Sequence, residues 1–196
     1  MGVRERDLVM DSGMESLKAM IGTPYKASES IATTSDRWKQ SETRLGVEFP
    51  PDYKNLVEIY GTHAWAGFLH TLIPGHVRRS LELETRGLRI LGALLEAARE
   101  YPGSIEYPIY PERCGLYPWG VTDNGDILCW LTQGYPNWWP TVVINTRGGS
   151  IEKHAMTASA LIASFLDGTL QSPLLLGPFD GKRPQNSDPG WEDGCY

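Results

Sequence analysis

The sequence predicts an α+β fold in a single domain, and three observations carry that reading. A hairpin with aromatic flanks sits in the middle of the chain, Gly- and Pro-bounded helices precede it, and an amphipathic helix follows the last strand. The stretch Leu116 to Trp130, LYPWGVTDNGDILCW, reads as strand, tight turn and strand. Tyr117, Trp119 and Val121 alternate with Pro118, Gly120 and Thr122, the pattern of a half-buried pleated surface. Asp123-Asn124-Gly125-Asp126 makes the reversal, and Asn-Gly predicts a type I′ turn because both residues tolerate positive φ. The hairpin is expected at the centre of a sheet. At 196 residues the length suits one domain with appendages.

The elements follow in order. Residues 1 to 12 are charged and are expected to be poorly ordered, and Ser12 to Ile21 carries Met14, Leu17, Lys18 and Ile21 at helical spacing. Residues 22 to 35 are small and polar and read as loop. A helix begins at Ser35 or Asp36 as N-cap, runs through Trp38 and Glu42 to Leu45, and stops at Gly46. Pro51 opens the next helix, which places Tyr53, Leu56, Val57 and Tyr60 on one stripe and ends at Gly61. Ala64 to Ile73 predicts one strand or two short ones, with Gly67 at a bulge.

Residues 76 to 100 are helix-rich, with Leu88, Leu91, Leu95 and Ala98 as the apolar stripe and Gly87 and Gly92 as weak points. Three prolines make 101 to 115 a loop. After the hairpin, Trp138 to Asn145 predicts a strand, Thr146 to Gly149 a turn, and Ser150 to His154 the strand that closes it. Thr157 or Ser159 caps a final helix that buries Leu161, Ile162, Phe165 and Leu166 and ends at Gly168. Beyond Leu176 the composition turns to Gly, Pro, Asp and Asn without an apolar face, as in a flexible tail. The organisation expected is a lead over 1–34, a domain over 35–176 and a tail over 177–196.

Composition narrows the function. Lys and Arg number 18 against 24 Asp and Glu, so the net charge is −6. That balance argues against direct nucleic-acid binding, which lysine and arginine drive. Cys114, Cys129 and Cys195 are odd in number and form no CxxC pair, which points to neither a disulfide framework nor a zinc site. The amino terminus lacks the apolar core of a signal peptide, and Arg6 stands where a myristoylation signal needs Ser or Thr. No apolar run is long enough to span a bilayer, so neither membrane insertion nor export is expected and the location predicted is the cytoplasm.

Catalytic signatures are missing from the sequence. His63, His70, His76 and His154 match no HExxH or two-His-one-carboxylate spacing. Asp123 and Asp126 flank Asn-Gly without the alternating oxygen ligands of a calcium loop, and turn hydrogen bonds are the simpler role. There is no GxxxxGK[ST] loop and no GxSxG elbow. Neither a cofactor, a metal nor an active site is expected.

The order of motifs resembles the SMI1/KNR4 family of the SUKH superfamily. The resemblance rests on Leu45-Gly46, Phe49-Pro50-x-Asp52-Tyr53, Tyr60-Gly61, Trp119 with Asp123-x-Gly125-Asp126 and Trp130, and Ala163-Ser164-Phe165-Leu166. It covers roughly residues 35 to 170. The sequence departs from the family where Tyr60 takes the place often held by Asn, and where region 76–100 lengthens the middle. The resemblance implies a central, mostly antiparallel sheet flanked by helices and no catalysis. It also implies one of two roles. Bacterial members are similar to immunity proteins that neutralise a polymorphic or contact-dependent toxin domain, often a nuclease or deaminase. Fungal members resemble regulatory scaffolds, which is the alternative.

A partner would need a surface. Tyr135, Trp138 and Trp139 lie in a Pro-bounded loop, and Trp and Tyr concentrate binding energy at interfaces. By strand alternation at least one of Trp138 and Trp139 should point inward. Glu82, Glu84, Glu106, Glu112, Asp123 and Asp126 would supply the field that attracts a basic toxin domain.

Overall fold

Among the described residues, five α-helices pack around a six-stranded antiparallel meander whose spatial order is the chain order. The computed structural model describes residues 4–23 and 35–175. The elements are α1 (Arg4–Ile21), α2 (Ser35–Leu45), α3 (Pro51–Tyr60), β1 (Ala64–Trp65), β2 (Leu69–Thr71), α4 (Leu83–Glu100), β3 (Leu116–Thr122), β4 (Ile127–Leu131), β5 (Thr141–Ile144), β6 (Ile151–His154) and α5 (Ala158–Asp167). The sheet runs β1-β2-β3-β4-β5-β6 with every pair antiparallel. The α+β class is as expected. The tail over 177–196 and the loop segment 24–34 lie outside the described residues, as does the N-cap side chain of α2.

The Phe49–Tyr53 phrase knits helices to sheet. Pro51 opens α3, where its missing N–H costs nothing. Phe49 and Tyr53 are fully buried and enter an aromatic cluster with Trp38, Tyr117, Trp119 and Trp130. The Tyr53 hydroxyl lies 2.6 Å from the Leu72 carbonyl and 2.9 Å from that of Trp119, to which it donates. Trp119 sits at a register shift between Pro118 and Gly120, so its carbonyl leaves the β3–β4 ladder. The Leu72 N–H also donates to that carbonyl, at 2.8 Å. Pro118 has no N–H for the ladder, and a bulge is where a central strand tolerates it. Asp52 reaches across to α5, where its carboxylate accepts the Ser159 N–H at 3.0 Å and the Ser159 hydroxyl. Burial raises the Asp52 carboxyl above the ordinary range, and the Ser159 bonds only partly offset this.

Several expectations need correction. The reversal after β3 is a three-residue loop and not a type I′ turn. Gly125 N–H bonds to Thr122 O at 2.9 Å, and within this turn only Gly125 has positive φ (+86°). A left-handed residue after a tight turn accommodates the strand twist with one special position instead of two. Type I′ geometry appears in the β1–β2 hairpin, where Ala66 (φ 54°) and Gly67 (φ 65°) are both left-handed and Phe68 N–H donates to Trp65 O. Gly67 is therefore a turn residue and not a bulge.

The hairpin is also not half-buried. Every residue of β3, β4 and β5 is buried, including both the Tyr117–Trp130–Thr141 row and the Pro118–Cys129–Val142 row on the opposite face. Elements cover both sides, and α4 packs along β3. In α4 the buried stripe is Leu83, Gly87, Ile90, Leu91 and Leu94, whereas Leu88 is exposed. The helix continues unbroken through both glycines. At Gly87 a Cβ would come 3.2 Å from the Tyr117 hydroxyl, so the absent side chain permits the close approach of helix to strand.

At the amino terminus the helix begins at Arg4, not near residue 12. Its Met14 and Leu17 are buried and α1 packs on α5. A Cβ at Gly13 would lie 2.4 Å from Ser159 Oγ, so this contact requires glycine. Met14 and Leu17, which the sequence assigns to a lead, thus belong to the same core.

Candidate partner-binding site

The aromatic loop leaves β4 beside the segment that leads into β3. Thr132 donates through both its N–H (3.1 Å) and its hydroxyl (2.8 Å) to Gly115 O. Left-handed Gly134 (φ 77°) turns the chain, and Pro136–Trp138 forms one 3₁₀ turn. Trp138 N–H donates to Tyr135 O at 2.9 Å and Trp139 N–H to Pro136 O at 3.2 Å. The predicted strand over 138–145 therefore starts only at Thr141.

The 3₁₀ turn determines where the three aromatics go. Side chains three apart in such a turn lie one above the other. Tyr135 and Trp138 accordingly pair edge to face, with centroids 5.5 Å apart and planes at 83°. They are 72% and 45% exposed. Trp139 turns the other way and is buried against Trp130, with its indole N–H donating to Gly134 O at 3.2 Å. It anchors the loop and offers no binding surface, which removes it from the expected set. The exposed pair thus stands on a loop secured from below.

The acidic set divides between opposite ends of the sheet. Asp123 and Asp126 belong to the β3–β4 turn, while the aromatic loop and the segment holding Glu112 join the strands at their other ends. Asp126 is buried and presents no carboxylate to a partner. Its oxygens accept the Thr122 hydroxyl (2.9 Å) and the Asn145 amide (3.0 Å), which fastens the β3–β4 turn to the one after β5. Asp123 is exposed and bonds His70 Nε2 at 2.7 Å. Glu82 caps α4 by accepting the N–H groups of Glu84 and Thr85. Glu84 takes two hydrogen bonds from Arg44 and one from Ser41. Burial pushes the Glu84 carboxyl up, yet those bonds outweigh it and hold it below its ordinary value. Glu106 and Glu112 are exposed.

The histidines have separate structural partners. His70 faces Asp123, His154 lies 3.3 Å from Glu152, and His76 bonds Thr62 and the backbone of Arg78. Among the described residues no three His, Cys, Asp or Glu side chains come together as a metal site. Cys129 is a buried thiol that burial drives well above its ordinary pKa, which suppresses the thiolate. Nor is any described helix long and apolar enough to cross a membrane. Sequence reading missed the Asp52–Ser159 link, for which the sequence carries no local signal because the partners lie 107 residues apart.

Fold and surface together define an α+β domain that carries an exposed aromatic pair on an anchored loop. The sequence model of the SMI1-KNR4 cell-wall family (SUKH_6) matches residues 35–162, more than half of the chain. The chain belongs to this SMI1/KNR4 family of the SUKH superfamily. A search of curated proteins finds no match to it.

Proposed function

We propose that this chain is a non-catalytic immunity protein of the cytoplasm that binds a cognate polymorphic or contact-dependent toxin domain and neutralises it by occlusion. The observation that carries the reading is the exposed Tyr135–Trp138 pair on an anchored loop, in a chain of the SMI1/KNR4 family. Large aromatic side chains that are already ordered lose little entropy on binding, which suits them as anchors. Glu106 and Glu112 would add charge that speeds association with a basic toxin surface, such as that of a nuclease or deaminase. No turnover is involved, so inhibition is stoichiometric.

The test is co-expression with the toxin domain encoded beside this chain, scoring survival and co-purification. Survival with a stable complex is the expected result, and Trp138→Ala should weaken the complex by about tenfold or more. Death without a complex would overturn neutralisation of that toxin and favour the regulatory-scaffold alternative.

A further inference from the structure

Helix α4 packs one side along β3 and leaves the other in solvent. Two residue pairs repeat on that outer side at a spacing of seven, which is two turns and returns to nearly the same direction. Leu88 and Leu95 form the first pair. Leu88 is 55% exposed, and Leu95 is half-buried at the margin of the core. Arg89 and Glu96 form the second pair, both exposed. They stand about 10 Å apart along the helix axis, beyond the three- and four-residue spacings at which side chains on one helix meet. Among the described residues neither side chain belongs to an ion pair. Gly92 falls between the leucine flank and the charged flank, and the space where its Cβ would stand is open.

These spacings are self-complementary. An interface with two-fold symmetry uses one patch twice, so a patch with opposite charges equidistant from its centre can satisfy itself. Two copies of α4 laid antiparallel, with the two-fold axis between Gly92 and Ala93, bring each Arg89 opposite Glu96 of the second copy. The same axis sets each Leu88 within one turn of the second copy's Leu95, on the other flank of the seam. Parallel pairing would instead set Arg89 against Arg89 and Glu96 against Glu96.

We infer that the outer face of α4 is a homodimer interface, which pairs antiparallel with a second copy of this chain through Leu88, Leu95 and crossed Arg89–Glu96 ion pairs. The leucines supply the apolar contact, and the charges fix direction and register. A single helix–helix seam is smaller than the standard interface of roughly 1,600 Å², so the dimer is reversible and forms with rising concentration. The inference depends on neither the aromatic loop nor a toxin partner.

The test is sedimentation velocity of the full chain at low salt, from about 10 μM to about 1 mM. The wild type should pass from monomer to dimer within that range. Arg89→Glu and Glu96→Arg each place like charges opposite one another at both ends of the seam, and each should weaken dimerisation by about tenfold or more. An equimolar mixture of the two variants should dimerise at least as well as the wild type, because every charged contact across the axis then joins opposite signs. Leu88→Ser should weaken the dimer as well. Arg147→Glu makes the same charge change in the exposed turn before β6 and should leave the dimer unaltered. A chain that stays monomeric throughout, single reversals that leave the dimer intact, a mixture that fails to associate, or an equal loss in Arg147→Glu would each overturn the assignment.

Discussion

Two aromatic groups in this molecule are built from the same residue types and serve opposite ends. Beneath the helices, Trp38, Phe49, Tyr53, Tyr117, Trp119 and Trp130 are all less than 3% exposed and meet edge to face, tilted or stacked at 4.8 to 6.4 Å. At the loop after β4, Tyr135 and Trp138 make the same edge-to-face contact in solvent. The first group converts aromatic area into stability. The second leaves much of that area in water, where it contributes less to folding. Trp139 joins the two, since it packs on Trp130 and bonds the loop's own Gly134.

The sharpest contrast should come from truncating the centre of the buried group. Trp130 contacts Phe49, Tyr53, Tyr117, Trp119 and Trp139, so Trp130→Ala leaves a cavity that no single neighbour can fill. A loss of about 3–5 kcal/mol in urea unfolding is expected. A loss below about 1 kcal/mol would mean that the cluster is loosely packed, and the contrast with the loop would fail.

The next effect lies one residue from the cluster, at Asp52. Removing its carboxylate with Asp52→Ala should cost about 1–3 kcal/mol, because the Ser159 N–H and hydroxyl lose their acceptor inside the protein. Its pH dependence has an unusual sign. Burial raises the carboxyl in the folded state, so folding favours the protonated form. That contribution is fully present below the ordinary carboxylate range and declines as pH rises through the raised value. Asp52→Asn carries no charge and can make both contacts to Ser159. It should therefore gain stability relative to the wild type as pH rises above the ordinary carboxylate range. Parallel stability curves would show that Asp52 is not held protonated by its burial.

The helical elements were largely legible because Gly and Pro mark them with local physics. Gly46 and Gly168 sit left-handed just past α2 and α5, Pro51 opens α3, and the stripe Tyr53, Leu56, Val57, Tyr60 is buried as read. What periodicity could not reveal was the number of covered faces. A strand buried on both sides and one buried on a single side share the Tyr117–Thr122 pattern, and only the packing of α4 along β3 decides between them. The phase of α4 was misread because Gly87 occupies a buried position, which hydrophobic counting passes over. At the candidate surface, the Pro before Asn137 reads equally as a strand boundary or as the first residue of a 3₁₀ turn. That choice sends Trp138 outward and Trp139 inward. Glu82, Glu84 and Asp126 illustrate another limit: a carboxylate looks the same in sequence whether it faces solvent, caps a helix, pairs with Arg44 or fastens a turn.

Glycines within one helix sharpen the distinction between fold and surface. Gly87 faces the Tyr117 hydroxyl, whereas a Cβ at Gly92 meets nothing within 4 Å. Gly92→Ala should therefore stabilise the protein by about 0.5–1 kcal/mol through helix propensity alone. Gly87→Ala should give no such gain. Equal stabilisation by both, read as equal shifts in urea midpoint, would show that α4 does not press against β3.

The smallest stability effect is expected where the binding effect should be largest. Trp138 is 45% exposed and pairs with Tyr135, and its N–H bond to Tyr135 O belongs to the backbone and survives truncation. Trp138→Ala should change unfolding stability by less than about 0.5 kcal/mol, against the several expected for Trp130→Ala. A large stability loss would show that the loop aromatics support the fold, and their exposure would then say nothing of a partner. An unchanged fold together with a weakened toxin complex would separate the two aromatic groups by function.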